Sequence, residues 1–299
     1  MQNGEIIDRR ESLKRITCLG AIVSGAIATR PAAGETDRPF LADIGVCTSW
    51  SNHALLRQSG YAFVEEKVAD LLLPDQPEDQ FREKLEAIKT SSLPVSACRV
   101  FLPGSLPCVG PAVKQRALMA HTETVLRRAG EAGVQTIVFG SGGARRIPDG
   151  FDPGKAREQL IGFLQEAVPI ASKHGVTLAL EHLNRGETNL INRVRQAVEI
   201  VETVNHPNLR MLVDIYHMSR ENEAAEEILG AGRYIHHCHI AEFENRTGPI
   251  TMKDDFRPYF RALKRAGYRG RLSIEATWGN LVTELPSALR VLRQQISEA

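Results

Sequence analysis

Short, nearly unbroken apolar runs alternate along this chain with longer segments whose apolar residues fall three and four apart. The first kind reads as strands buried on both faces, the second as amphipathic helices. The strand readings are residues 41–47, 61–65, 95–101, 134–139, 176–181, 209–214, 234–240 and 271–275. The helical readings are 51–60, 75–90, 111–132, 154–174, 190–204, 221–230, 254–266 and 285–296. In the helix over 75–90, Phe81, Leu85 and Ile88 share a face, and in the last helix Leu285, Leu289 and Leu292 do. Gly60, Gly133, Gly175 and Gly267 stand where helices should stop, and Asn205-His206-Pro207 ends another. Eight strand–helix units in succession predict an α/β fold, a (β/α)8 barrel of the TIM type.

Four of the strands end in groups that can bind a metal. The stretch VTLALEHLNRGE reaches Glu181, RMLVDIYH reaches Asp214, YIHHCHIAE reaches His239 and RLSIEATW reaches Glu275. Intervals of 33, 25 and 36 residues separate them, about one strand–helix unit each. In such a barrel the C-terminal strand ends form the mouth, so the four should meet there. Three carboxylates and one imidazole, with no thiolate, suit one divalent ion: Mn2+ first, then Mg2+ or Co2+, with Zn2+ admissible. Each carboxylate alone could instead cap a helix, but recurrence in successive units favours the shared site. Glu181 and Glu275 come from strands across the mouth. With a sugar above the metal, one removes the proton next to a carbonyl and the other returns a proton from the opposite side.

Further polar groups cluster near these ends. His217, three residues past Asp214, can hold a substrate hydroxyl or bond its own loop. Asn184, Arg185 and Glu187 follow Glu181, and Glu187 can orient a hydroxyl. Arg246 can reach substrate oxygens. Arg145 and Arg146 follow a glycine-rich loop, Gly140-Ser141-Gly142-Gly143, and could meet a phosphate or a sugar acid. That loop lacks the spacing of a dinucleotide or nucleotide-phosphate motif, and no helix is expected before about residue 153. His237 shares the strand parity of His239 and should face the interior one layer below. Trp50 and Trp278 are candidates for an apolar wall against a sugar.

Composition bounds the rest. The chain has 299 residues, 42% of them hydrophobic, enough for one large core, so residues 36–299 read as a single catalytic domain. A formal net charge of +1 offers no overall field for nucleic acid, and 6% aromatics argue against a wide stacking platform. Residues 1–35 differ: basic Arg9-Arg10 precedes a short apolar run over 16–28 and a polar tail. The run is too short for a comfortable membrane span and reads as an export signal resembling the twin-arginine type, with Ser12 where that signal prefers Phe. A periplasmic or otherwise exported protein is the expectation, a cytoplasmic one the runner-up, with no stable membrane insertion once the signal is removed. Cys47, Cys98, Cys108 and Cys238 show no metal-type spacing and read as buried thiols, while Cys18 lies in the signal.

The motifs together resemble the xylose isomerase-like TIM barrels, the sugar phosphate isomerases/epimerases, and among them the ketose 3-epimerases. Glu181-His182-Leu183-Asn184-Arg185-Gly186-Glu187 is similar to that family's segment after strand five. Asp214–Met218, His239–Glu242 and Glu275 match its later motifs. The resemblance covers roughly residues 40–297. It implies that Glu181, Asp214, His239 and Glu275 bind the metal and that Glu181 and Glu275 are the acid/base pair. It also implies that His217, Arg246 and Glu187 contact a small sugar substrate, and it admits a homo-oligomer. One departure is that Asn245 and Arg246 fall six and seven residues after His239, one later than the family pattern. The same scaffold also carries dehydratases of the inosose type, hydroxypyruvate isomerases and a DNA endonuclease. The endonuclease uses a histidine-rich three-metal cluster that is not present here. A non-catalytic sugar-binding barrel is opposed by the intact Glu181 and Glu275.

Overall fold

Strands β1 (Ile44–Cys47), β2 (Phe63–Lys67), β3 (Val95–Arg99), β4 (Thr136–Phe139), β5 (Thr177–Glu181), β6 (Leu209–Asp214), β7 (Ile235–Ile240) and β8 (Arg271–Ile274) pair in parallel in chain order, and β8 closes on β1. The computed structural model describes Met1, Phe40, Leu41 and residues 43–299. The expected export signal, apart from Met1, lies outside the described residues. Around the barrel run α1 (His53–Gln58), α2 (Val68–Leu71), α3 (Glu78–Lys89), α4 (Gln115–Glu131), α5 (Gly142–Arg145), α6 (Pro153–Lys173), α7 (Val194–Val204), α8 (Ile215–Arg220), α9 (Glu227–Ala231), α10 (Arg257–Arg265) and α11 (Leu281–Ser297). Among the described residues no helix is long and apolar enough to cross a membrane.

Local chemistry explains the longest elements. Asp152 caps α6 by accepting from the Lys155 N–H at 2.8 Å, and Pro153 occupies the first turn, where its missing N–H is not needed. Gly175, at φ 68°, turns the chain out of that helix and into β5. Asn205 does the same after α7 in a left-handed conformation at φ 48°. The main apolar core lies between barrel wall and helices. Inside the barrel, Val138, Ala179 and Leu212 form a separate apolar cluster. Side chains alternate along a strand, so two residues beyond Ala179 and Leu212 the inward positions are Glu181 and Asp214. The same parity aims Arg99, His237 with His239, and Ser273 with Glu275 inward. At the opposite end Phe63 plugs the barrel: a Cβ on Gly45 would stand 2.4 Å from its ring, so that position on β1 must be glycine.

The element boundaries differ from expectation in three instructive places. β2 runs two residues further, to Lys67, which puts Glu65 inside the strand rather than at its end. The glycine-rich loop folds into the one-turn helix α5, tied down by Arg145, where no helix was expected. The helix expected over 221–230 is confined to α9, and an additional helix, α8, starts immediately after Asp214. The four described cysteines are free and buried, as their spacing suggested.

Candidate metal centre

One donor atom from each of Glu181, Asp214, His239 and Glu275 can be chosen so that all lie within 4.8 Å of one another. Asp214 caps α8 as well as facing the cluster. Its Oδ1 accepts from the Tyr216 N–H at 2.8 Å, while Oδ2 is buried with no hydrogen-bond partner. Glu181 Oε1 and His239 Nδ1 are likewise buried and unpartnered. His239 Nδ1 stands 3.2 Å from Glu275 Oε2 and 3.5 Å from Glu181 Oε1. Buried polar atoms are rarely left unpaired. Three that converge on one point, in a set of carboxylates plus one imidazole, fit a shared divalent cation.

His239 presents Nδ1 because its other nitrogen is committed. Nε2–H donates to Glu65 Oε1 at 2.9 Å. Glu65 Oε2 accepts from His237 Nε2–H at 2.8 Å and from the Ser273 hydroxyl at 2.7 Å. Burial alone would drive this fully enclosed carboxyl neutral, but His239 and His237 hold it well below the usual carboxylate range. A carboxylate behind a metal-facing imidazole fixes both its tautomer and its ring plane. Sequence reasoning noted Glu65 only as a strand end; its parity with Phe63 was the available signal.

A cavity of 240 Å³ opens beside the cluster, walled by Arg99, Val100, Ser141, Leu183, Glu187 and Arg246 together with Glu181 and Glu275. Arg246 reaches it despite the extra residue after His239, because Asn245 and Arg246 both turn in left-handed conformations, at φ 62° and 51°. Its guanidinium donates to Glu275 Oε2 at 2.6 Å and to Glu187 Oε1 at 2.9 Å. Asn184 donates from its side chain to Glu187 and, through both backbone and side chain, to His217 Nδ1 at 3.3 and 2.8 Å. His217 is therefore the Nε2–H tautomer. Burial holds it neutral, with its titration down at about 3, and Nε2 lies 3.4 Å from Asp214 Oδ2 without a hydrogen bond between them. Close packing seats Glu181 too: a Cβ on Gly140 would lie 2.1 Å from Glu181 Oε2.

The two candidate acid/base carboxyls are pushed apart. Burial, reinforced by Glu275 and Asp214 against the pull of His239, raises Glu181 to about 7. Burial opposes ionisation of Glu275 as well, but His239, Arg246 and Arg99 hold it well below the ordinary range.

The family model for the xylose isomerase-like TIM barrel matches residues 54–295. The chain belongs to that family. All four strand-end donors fall inside the matched region. The chain is 30% identical to an L-ribulose 3-epimerase of Methylomonas sp. (strain DH-1) over 56% of its own length and 59% of that protein's. It is 37% identical to a ketose 3-epimerase of Arthrobacter globiformis over 41% of its length and 42% of that protein's. It thus spans less than two thirds of these curated relatives. A solved D-psicose 3-epimerase from Clostridium cellulolyticum H10, crystallised with D-tagatose, shares the fold. Its TM-score is 0.71 at 20% identity, over 85% of this chain and 99% of that one.

Within this xylose isomerase-like barrel, Arg145 does not face a ligand. It is fully buried, its Nε donating to the Gly140 carbonyl at 2.6 Å and an NH2 group to the Glu181 carbonyl at 2.8 Å, so it clamps the ends of β4 and β5. Arg146 bonds the Glu187 carbonyl at 2.8 Å, and Arg185 pairs with Glu221. Trp50 stacks on His53, and Trp278 covers Gly248; neither is among the residues lining the cavity. Arg99, inside the strand expected over 95–101 and not singled out there as a site candidate, does line it.

Proposed function

We propose that this protein is a divalent-metal-dependent sugar isomerase or epimerase that moves a proton at the carbon next to the carbonyl of a small ketose. The observation that carries this reading is the meeting of Glu181 and Glu275 at His239 beside a cavity whose remaining polar wall is built to bind hydroxyls. The named activities of the 3-epimerase relatives support it. The ion, Mn2+ in this reading before Mg2+, Co2+ or Zn2+, supplies Lewis acidity at the substrate carbonyl. Glu275, kept ionised between Arg246 and His239, takes the proton. Glu181 returns one from the facing side. His217 Nε2–H, Arg246 and Glu187 orient the hydroxyls around the reacting carbon.

Ketohexoses followed by NMR in D2O with Mn2+ test the assignment. The wild-type protein should incorporate deuterium next to the carbonyl and yield the epimer or aldose. Glu275→Gln should lose at least about 100-fold of that rate while still binding Mn2+. Undiminished exchange in Glu275→Gln would remove the acid/base role, and a product lighter by one water would redirect the reading to a dehydratase.

A further inference from the structure

Two guanidiniums line the cavity, and the protein engages them unequally. Arg246 is the more engaged: it binds Glu275 and Glu187 through its terminal nitrogens, donates from Nε to the Glu275 carbonyl at 3.3 Å, and lies 4.8 Å over the Tyr216 ring. Arg99, inward-facing at the end of β3, makes one ion pair among the described residues, with Glu65 and Glu66 acting on it from further off. The pair is with Glu275 Oε1, at 3.4 Å, and the Arg99 Nε is buried with no hydrogen-bond partner. With 19% of its side chain exposed, the guanidinium sits in the cavity wall rather than out in solvent.

Its neighbours make a corner of the wall beside Glu275. Val100 follows at φ 59°, a backbone conformation that β-branched residues rarely adopt, and Ser141 stands across from it at φ 41°. The Ser141 hydroxyl holds this corner by accepting from the Leu102 N–H at 2.9 Å. Val100 and Leu183 supply apolar surface on the same wall. With a divalent ion bound, two guanidiniums and the ion would balance the four carboxylates of cavity and cluster, Glu181, Asp214, Glu187 and Glu275. An additional substrate carboxylate therefore meets no net repulsion.

We propose that Arg99 is a substrate-specificity residue forming a carboxylate subsite, so that the preferred keto sugar carries an acid group. A planar guanidinium with unfilled parallel N–H donors matches a carboxylate in two-point contact better than it matches a single hydroxyl. The inference rests on the proton-transfer reading of the neighbouring cluster for the orientation of the sugar.

D-fructose and D-fructuronate differ only in a terminal CH2OH against a carboxylate and serve as probes. Calorimetry with Mn2+-loaded protein should show D-fructuronate binding about 10- to 100-fold tighter, the worth of a hydrogen bond to a charged group. Arg99→Gln should abolish that preference. Arg99→Lys, which keeps the charge but loses the fork, should retain part of it, and both variants are checked for full Mn2+ stoichiometry. Equal affinity for the two sugars, binding of neither, or a preference that survives in either correctly loaded variant as strongly as in the wild type would overturn the subsite. Deuterium exchange measured on the same samples separates the two claims. A clear Arg99-dependent preference without exchange would sustain the subsite and overturn the isomerase reading.

Discussion

At the scale of single residues, the site depends on which atom of each side chain is left over. Asp214 has one oxygen committed to its helix cap and one free; His239 has one nitrogen committed to Glu65 and one free; His217 has Nδ1 filled by Asn184 and Nε2 free. Glu65 touches no cavity surface, yet it decides what His239 offers. Glu65→Gln replaces an acceptor with an amide that cannot satisfy both imidazoles, and Mn2+ affinity should fall about 10- to 100-fold by calorimetry. An unchanged affinity would show that His239 holds its tautomer without help. The four cluster residues were legible in the sequence because each ends an apolar run. Glu65 was not, since a Glu-Glu-Lys sequence looks like a strand running out into solvent and only barrel closure reveals that β2 continues. Arg99 was illegible for a related reason: a charged residue at a strand end has the same pattern whether it faces water or a cavity.

At the scale of elements, the strands were readable to within about two or three residues and the short helices were not. Mostly apolar runs mark β5 and β6 by composition, whereas β7 carries three histidines among its apolar residues. α5 has four residues, two of them glycine, and exists because Arg145 bonds the neighbouring strand ends, a tertiary cause that no local pattern carries. The far end of the barrel is closed by a similar long-range contact, with His236 Nε2 on β7 lying 3.0 Å from Thr136 Oγ1 on β4. Burial first, then His237 and Arg271, lowers the His236 titration from 6.5 to about 4. The unfolded chain therefore binds the extra proton between those values while the folded one does not. The contribution to stability is complete above 6.5 and is lost as pH falls towards about 4. Denaturant melts should lose up to about 3 kcal/mol over that window through this group. His236→Gln should flatten the dependence, and an equally steep curve in that variant would assign the acid sensitivity elsewhere.

At the scale of the molecule, the barrel separates its tasks: Phe63 and the His236 contact close one end, and the other end carries the donors and the cavity. Fold and metal cluster followed from strand spacing, whereas the shape of the cavity depends on how the loops after β3, β4 and β7 turn. Left-handed residues at Val100, Ser141, Asn245 and Arg246 make those turns without an obligatory glycine, so the sequence did not announce them. The whole account rests on a divalent ion enabling proton transfer by Glu181 and Glu275. The most direct measurement strips the protein with chelator, titrates Mn2+ back, and follows deuterium incorporation next to the carbonyl of a turned-over keto sugar. Exchange should be absent in the stripped protein and rise to a plateau at one ion per chain, with Asp214→Asn weakening the titration. Full exchange in the metal-free protein, or a plateau indifferent to Asp214→Asn, would contradict it.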